Sequence, residues 1–455
     1  MRTNRKIWTV CLSSMLISAV SYAQFTLSGE IRPRSEYRHG YKTLSDSAMV
    51  PAIFIDQRTR LNFGYKSEYF NTFIQLQDVR VWGSQKQLVG NEDFGMSIHQ
   101  AWAEAIVSSK VKLKFGRQEL AYDDHRILGN VGWAQQARSH DAAVLIYQDS
   151  SFAFHLGGAY NQDAAKLSGN QAFNGGYKSM QYLWMHKEIS KLRISGLFLN
   201  NGLQASKIDN YGIPKYWINY SQTIGTRATF KSDKLFFGFN GYYQTGLTSA
   251  VPNKKISAYL LGIDLSYKVT NQLLVQLGFE NQSGNSQTDT TAKYLAVNHA
   301  FAPLYGTNHK FNGYIDYFYV GNHAASVGLR DIYLKLKYTH DKFYLGADLH
   351  YFMSAANVWD TPGYTDQIAA GNLSPTIQTM NPYLGAELDL SFGFNLSKGV
   401  ALKGGYSQMI GSETMAVLKE SFDSVGDTYT NAFSNWAYVM IIAKPTFLDT
   451  GKSKK

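Results

Sequence analysis

Nine of the twelve arginines that follow residue 23 fall between Arg32 and Arg138: Arg32, Arg34, Arg38, Arg58, Arg60, Arg80, Arg117, Arg126 and Arg138. A guanidinium is planar, keeps its charge and grips a carboxylate through two parallel hydrogen bonds. A column of such groups along a wet surface would attract and relay an anionic chain. The same arginines could serve as scaffolding by pairing with Glu30, Glu36, Asp56, Asp78, Glu104 and Asp141. The two uses are compatible: part of the set is paired, and the surplus sets an anion preference.

Enzyme-like constellations are poor by comparison. Ser139-His140-Asp141 spells a hydrolase triad in a row, but neighbouring strand residues point to opposite faces and cannot converge. The eleven histidines show no HExxH or comparable ligand spacing. Asp123-Asp124-His125 could hold a loop-bound divalent cation, and no other cofactor is expected. No glycine-rich phosphate loop is present, and a mild positive charge is the only feature that would suit a nucleic acid.

The elements that carry the arginines read as strands. After residue 23 one parity is Thr26, Ser28, Glu30, Arg32, Arg34, Glu36, Arg38, and the other is Phe25, Leu27, Gly29, Ile31, Pro33, Ser35, Tyr37. A helix would scatter these charges, whereas a strand sets them on one face. The split recurs at Asp56, Arg58, Arg60 and Asn62, and around Tyr259 to Tyr267 and Phe343 to Tyr351. In the last two the apolar face starts and ends with an aromatic eight residues apart, roughly 26 Å along a strand. Tilted, such a strand puts its rings at the two edges of an apolar membrane band.

Connection lengths give the architecture. Short turns at 67–71, 107–110, 148–151, 188–190, 231–234, 268–271, 339–342 and 395–399 alternate with long connections near 39–52, 83–96, 119–140, 161–179, 201–219, 246–256, 282–328, 353–380 and 409–434. Eight short and nine long connections predict 18 antiparallel strands closed into one transmembrane β-barrel, with short periplasmic turns and long extracellular loops. Closure satisfies every backbone group in lipid and leaves no edge. A barrel of that size keeps a bore, so a channel is expected, with gating left to a loop such as Gln282 to Gly328.

Two charges need local slips to stay inside. A bulge is expected at Gln77-Asp78 to keep Asp78 and Arg80 wet, and another at Gly116 to keep Arg117 off the lipid face. The segment after Phe447 is polar, so the last strand is expected to end short of the terminus.

The chain has 455 residues, with 44 Lys plus Arg against 34 Asp plus Glu and 14% aromatics. That much apolar surface excludes disorder. Beyond the first thirty residues no apolar run reaches the ~18 residues of a spanning helix. Arg2, Arg5 and Lys6 precede an apolar run from Ile7 to Val20 and then Ser21-Tyr22-Ala23, the pattern of a cleaved signal peptide over 1–23. Cys11, the sole cysteine, lies in that leader. The mature segment, 24–455, reads as one barrel domain in the outer membrane of a Gram-negative bacterium. Its expected partners are lipid and an anionic solute, and it is expected to be a monomer.

The blocks FIQLQDVRVWG (Phe73 to Gly83), KLKFGRQELAYDDHRILGNVGWAQQARSHDAA (Lys112 to Ala143) and LYGTNHKFNGYIDYFYVG (Leu304 to Gly321) resemble the alginate export family of outer-membrane barrels. The likeness runs from about Gln24 to Phe447, and the second block is the most specific. The resemblance implies an 18-stranded barrel with an arginine-lined lumen that passes a uronate polymer. By the same resemblance Arg80, Arg117, Arg126 and Arg138 become lumen or constriction residues, with Lys310 and Asp316 as weaker candidates. One departure stands out: after Arg227 the only arginine is Arg330, so the second half of the wall lacks a guanidinium array and one-sided selectivity is expected. The alternatives are a general small-solute porin and an outer-membrane hydrolase with a wall-mounted Ser and His.

Overall fold

The computed structural model describes residues 23–46, 48–88, 95–165, 167–168, 175–318, 327–420 and 434–451. The leader expected at the N-terminus lies, but for Ala23, outside the described residues. Eighteen antiparallel wall strands, from Gln24–His39 to Ser434–Ala443, follow one another around a closed barrel. Two short segments, Val297–Asn298 and Thr446–Asp449, add to the sheet without forming wall strands of their own. All eight short turns, and eight of the nine long connections, fall about where the alternation places them; the exception is 201–219.

The seam joins the first wall strand to the last. Ile31 lies opposite Ala443 and His39 opposite Asn435. Pairing then resumes past Lys444-Pro445, with Thr26 opposite Asp449 and Leu27 opposite Leu448. Leu448 and Asp449 are therefore part of the seam, and the strand ends at Asp449, short of the terminus as expected. Proline has no N–H to give, and its carbonyl instead accepts from Gly29 N at 2.9 Å.

One correction concerns 201–219, expected as a loop. Strands Leu192–Ile208 and Pro214–Lys231 run 17 and 18 residues, and only 209–213 turns. Polar residues bordering that span pair across strands: Asn200 donates to Gln181 at 2.8 Å, and Gln222 to Asn200 at 2.8 Å. Asp209 closes the turn by accepting from Tyr211 N and Ile213 N, each at 2.9 Å.

The period-two pattern sorts the wall into two faces. Leu261, Ile263 and Leu265 are 47%, 46% and 43% exposed on the outside, bracketed by Tyr259 and Tyr267. Arg32, Arg34 and Arg58 are buried on the inside. Apolar side chains held outward on a closed sheet are the mark of a lipid-facing wall.

Five inner-face tyrosines lie over glycines of the adjacent strand. The pairs are Tyr182 with Gly157, Tyr242 with Gly225, Tyr333 with Gly278, Tyr344 with Gly393, and Tyr438 with Gly405. A Cβ on any of these glycines would overlap the tyrosine ring. Glycine at these five sites lets a large ring lie against the backbone of the next strand instead of filling the bore.

Two long connections fold inward. Leu120, Ile127 and Leu128 pack with Phe301 against Val144, Met180, Leu199 and Leu260 of the wall. Ile315, Tyr317 and Phe318 join Phe352, Leu384, Met409 and Trp436 in a second cluster. Burial of these apolar side chains holds the loops inside the barrel.

Candidate functional site: the lumen and its inward loops

The connection from Glu119 to Ser139 enters the bore, and the arginines of the first two strands hold it there. Arg32 donates to the Gly132 carbonyl at 2.9 Å and to Gln135 Oε1 at 2.8 Å. Arg34 reaches the Trp133 carbonyl at 3.0 Å and Asp56 at 2.8 Å. Arg58 binds Glu30 at 2.9 Å and the Gly132 carbonyl at 3.4 Å. Arg60 lies beside them, donating to Gln77 at 2.8 Å, and its Nη2 has no acceptor. Most of this cluster is therefore engaged with the wall and the loop, while Arg60 keeps capacity to spare.

The connection from Ser283 onward, described except for 319–326, meets the first loop edge to edge. Gly129 N donates to the Tyr305 carbonyl at 2.9 Å, and Tyr305 N donates to the Ile127 carbonyl at 3.1 Å. Arg126 joins the loops to the far wall: it pairs with Glu280, and its guanidinium carbon lies 3.7 Å over the Phe311 ring. Arg138 donates to the Gly306 carbonyl at 3.2 Å. Lys310 donates to the Asp124 carbonyl at 2.7 Å. Burial, opposed by Asp124 and reinforced by Arg227 and Arg126, holds the Lys310 ammonium below the ordinary lysine range. Asp316 is buried between His309, at 2.7 Å, and the Tyr41 hydroxyl, so it locks the loop instead of facing open space.

Arg80 and Arg117 lie elsewhere than expected. Strand Phe70–Val81 keeps its parity, so Asp78 and Arg80 sit opposite Thr59 and Gln57 on the outer face. The bulge is displaced onto the neighbouring strand, where His99 is the extra residue between partners of Gln75 and Leu76. No slip occurs at Gly116 either, and Arg117 faces outward opposite Asp141, which accepts from it at 2.8 Å. Both arginines stand close to the long-loop ends of their strands, where an outward charge costs only about 0–1 kcal/mol. Each also has a carboxylate beside it, since Arg80 donates to Asp78 at 2.6 Å.

The remaining expected groups are dispersed. Asp124 accepts from Arg227 at 2.6 Å and from Asn240 at 2.8 Å, and Asp123 accepts from the Trp184 indole at 3.0 Å. Among the described residues no three His, Cys, Asp or Glu side chains gather as metal ligands. His140 is bound to the Tyr177 hydroxyl at 2.9 Å on the inner face, whereas Asp141 points outward, so that hydrolase constellation is not assembled.

The lumen wall also carries lysines that the arginine pattern does not point to. Lys335, Lys337 and Lys403 stand on the inner face of the wall half that lacks the arginine cluster, and Lys112 and Lys114 stand on the inner face of the strand that leads into the first loop. Their parity is readable in Leu334-Lys335-Leu336-Lys337-Tyr338, where apolar and basic residues alternate. Around them the loops leave polar-lined space. One cavity of about 490 Å³ borders Tyr122, Trp184, His186 and Arg193, and another of about 250 Å³ borders Lys310, Arg227, Asp264 and Lys335.

A family model described as alginate export matches residues 24–411. The chain belongs to the alginate export family. The match ends with strand Val400–Gly411, so the final strand of this family member lies beyond it and completes the barrel. Solved barrels share the fold. OccK2 (OpdF) of Pseudomonas aeruginosa, crystallised in complex with glucuronate, has a TM-score of 0.57 at 11% identity, covering 93% of this chain and 98% of its own. OccAB4 of Acinetobacter baumannii gives 0.57 at 11%, covering 94% and 99%, and OccK9 (OpdG) of Pseudomonas aeruginosa gives 0.58 at 10%, covering 93% and 98%. No curated protein sequence matches the chain. Family and fold together make this alginate export family member a channel of the Gram-negative outer membrane.

Proposed function

We propose that this channel passes anionic saccharides, uronate oligomers and polymers among them, through a lumen whose fixed cations set the preference. The observation that carries the reading is a group of inner cations left over after pairing. Among the described residues Arg60, Lys114, Arg138, Lys337 and Lys403 have no carboxylate within 4.0 Å, unlike Arg32, Arg34, Arg58 and Arg126. Unneutralised fixed charge in a confined aqueous path concentrates the opposite ion and repels its own kind. The sugar acid bound by OccK2 belongs to the same chemical class. Because the wall closes on itself, one chain suffices for a path.

Reversal potentials in planar bilayers across a potassium chloride gradient test the reading. The protein should prefer chloride, and combining Arg60→Gln, Lys114→Gln and Lys403→Gln should move the potential toward that of a non-selective pore. Cation preference in the unaltered protein, or an unmoved potential in the triple variant, would overturn it.

A further inference from the structure

The half of the wall without the arginine cluster carries a surface that suits a sugar acid better than a simple anion. At its centre the Tyr344 ring lies over Gly393, its partner on the adjacent strand, where a side chain would leave no room. The ring therefore lies flat against that strand on the inner face of the wall. Lys337 Nζ is 5.1 Å from the centre of that ring. Lys403 stands opposite Gly393 on its other neighbour, within electrostatic reach of Lys337. Lys403 is also within electrostatic reach of Lys444 and Arg32. Glu30 is the carboxylate at this place, and it is already shared between Arg58, at 2.9 Å, and Lys444, at 3.4 Å.

Holding cations this close on a partly dry wall is unfavourable unless an anion visits them. A flat aromatic face adds a requirement that chloride does not meet. A uronate unit meets both, since one face of its pyranose is a sheet of C–H bonds and its rim carries a carboxylate. We propose that Lys337, Tyr344 and Lys403 form a subsite for one uronate residue beside the short turns, the sugar face on the tyrosine and its carboxylate between the two lysines. The subsite rests on the anionic-saccharide reading above and gives that reading a place of first contact on the periplasmic side.

Block of single-channel current in the full-length protein tests it, with tetragalacturonate and neutral maltotetraose as probes added from the short-turn side. Lys337→Gln and Lys403→Gln should each raise the half-blocking concentration of tetragalacturonate about tenfold, the equivalent of about 1.4 kcal/mol, and leave maltotetraose block nearly unchanged. Tyr344→Leu should weaken both probes, and Tyr344→Phe, which preserves the ring packed on Gly393, should restore both. Unaltered block in every variant, or no block of the parent protein by tetragalacturonate, would overturn the subsite. Either result alongside chloride preference leaves the channel reading standing, whereas cation preference removes both.

Discussion

Arg34 lies over the Trp133 indole, its guanidinium carbon 4.6 Å from the ring centre, and donates to the carbonyl of that same tryptophan at 3.0 Å. One wall residue thus grips both the backbone and the side chain of the inward loop. Trp133 in turn stacks on His309 of the second loop at 4.6 Å. Arg34→Met should loosen the latch by the roughly 1–3 kcal/mol of a charge-assisted hydrogen bond plus its ring contact. Single-channel recordings should then show larger and noisier currents, while the barrel itself melts within a few degrees of the parent. Unchanged conductance would show that the loop stays seated without this contact.

The flat tyrosines predict sharp penalties at their glycines. Gly278→Val should destabilise the folded barrel by about 1–3 kcal/mol, because the added methyls collide with the Tyr333 ring. Denaturant unfolding in detergent measures the loss. Adding Tyr333→Ser to the same chain should recover much of it, since the collision then disappears.

Arg80 and Arg117 offer a control on the lumen chemistry. Both face outward and each pairs with its own carboxylate, so Arg80→Gln and Arg117→Gln should leave reversal potentials unchanged. Arg60→Gln should move them. A shift from either outward variant would mean that these guanidiniums reach the ion path.

Lys419 follows the short helix Glu413–Leu418 and donates to the Tyr317 carbonyl at 2.6 Å. Burial, aided by Lys42, brings its pKa from 10.5 down to about 7. Between those values the docked segment binds fewer protons than the released one, so docking strengthens as pH rises through the window and is weakest below about 7. Hydrogen exchange over the helix should therefore slow relative to its intrinsic rate between about pH 6 and about pH 9. Lys419→Met should remove that dependence.

The number of strands was legible because turn length and period two are local properties, and residues such as Thr26 to Arg38 display them without ambiguity. The interior was much less so. Whether Arg58 faces solute or the Gly132 carbonyl depends on where a loop some seventy residues away comes to rest. The slips expected at Asp78 and Gly116 followed from the cost of a charge at mid-membrane, but the depth of a residue is not written in its neighbours. Both arginines stand near the rim, where that cost fades and Asp78 or Asp141 answers the charge. Lys337 and Lys403 were visible in the alternation all along, and lost weight only beside the denser run of arginines.

The seam gives the first and last strands a joint task. Gln24 Nε2 donates to Asp449 at 3.0 Å across a separation of 425 positions. Contacts so distant along the chain form last, because every intervening hairpin must settle before the ends can meet. Until they do, the first and last strands are open edges that invite pairing with another molecule. Loss of the stretch from Thr446 onward would therefore harm biogenesis more than permeation, leaving an almost finished cylinder unzipped at its final tooth.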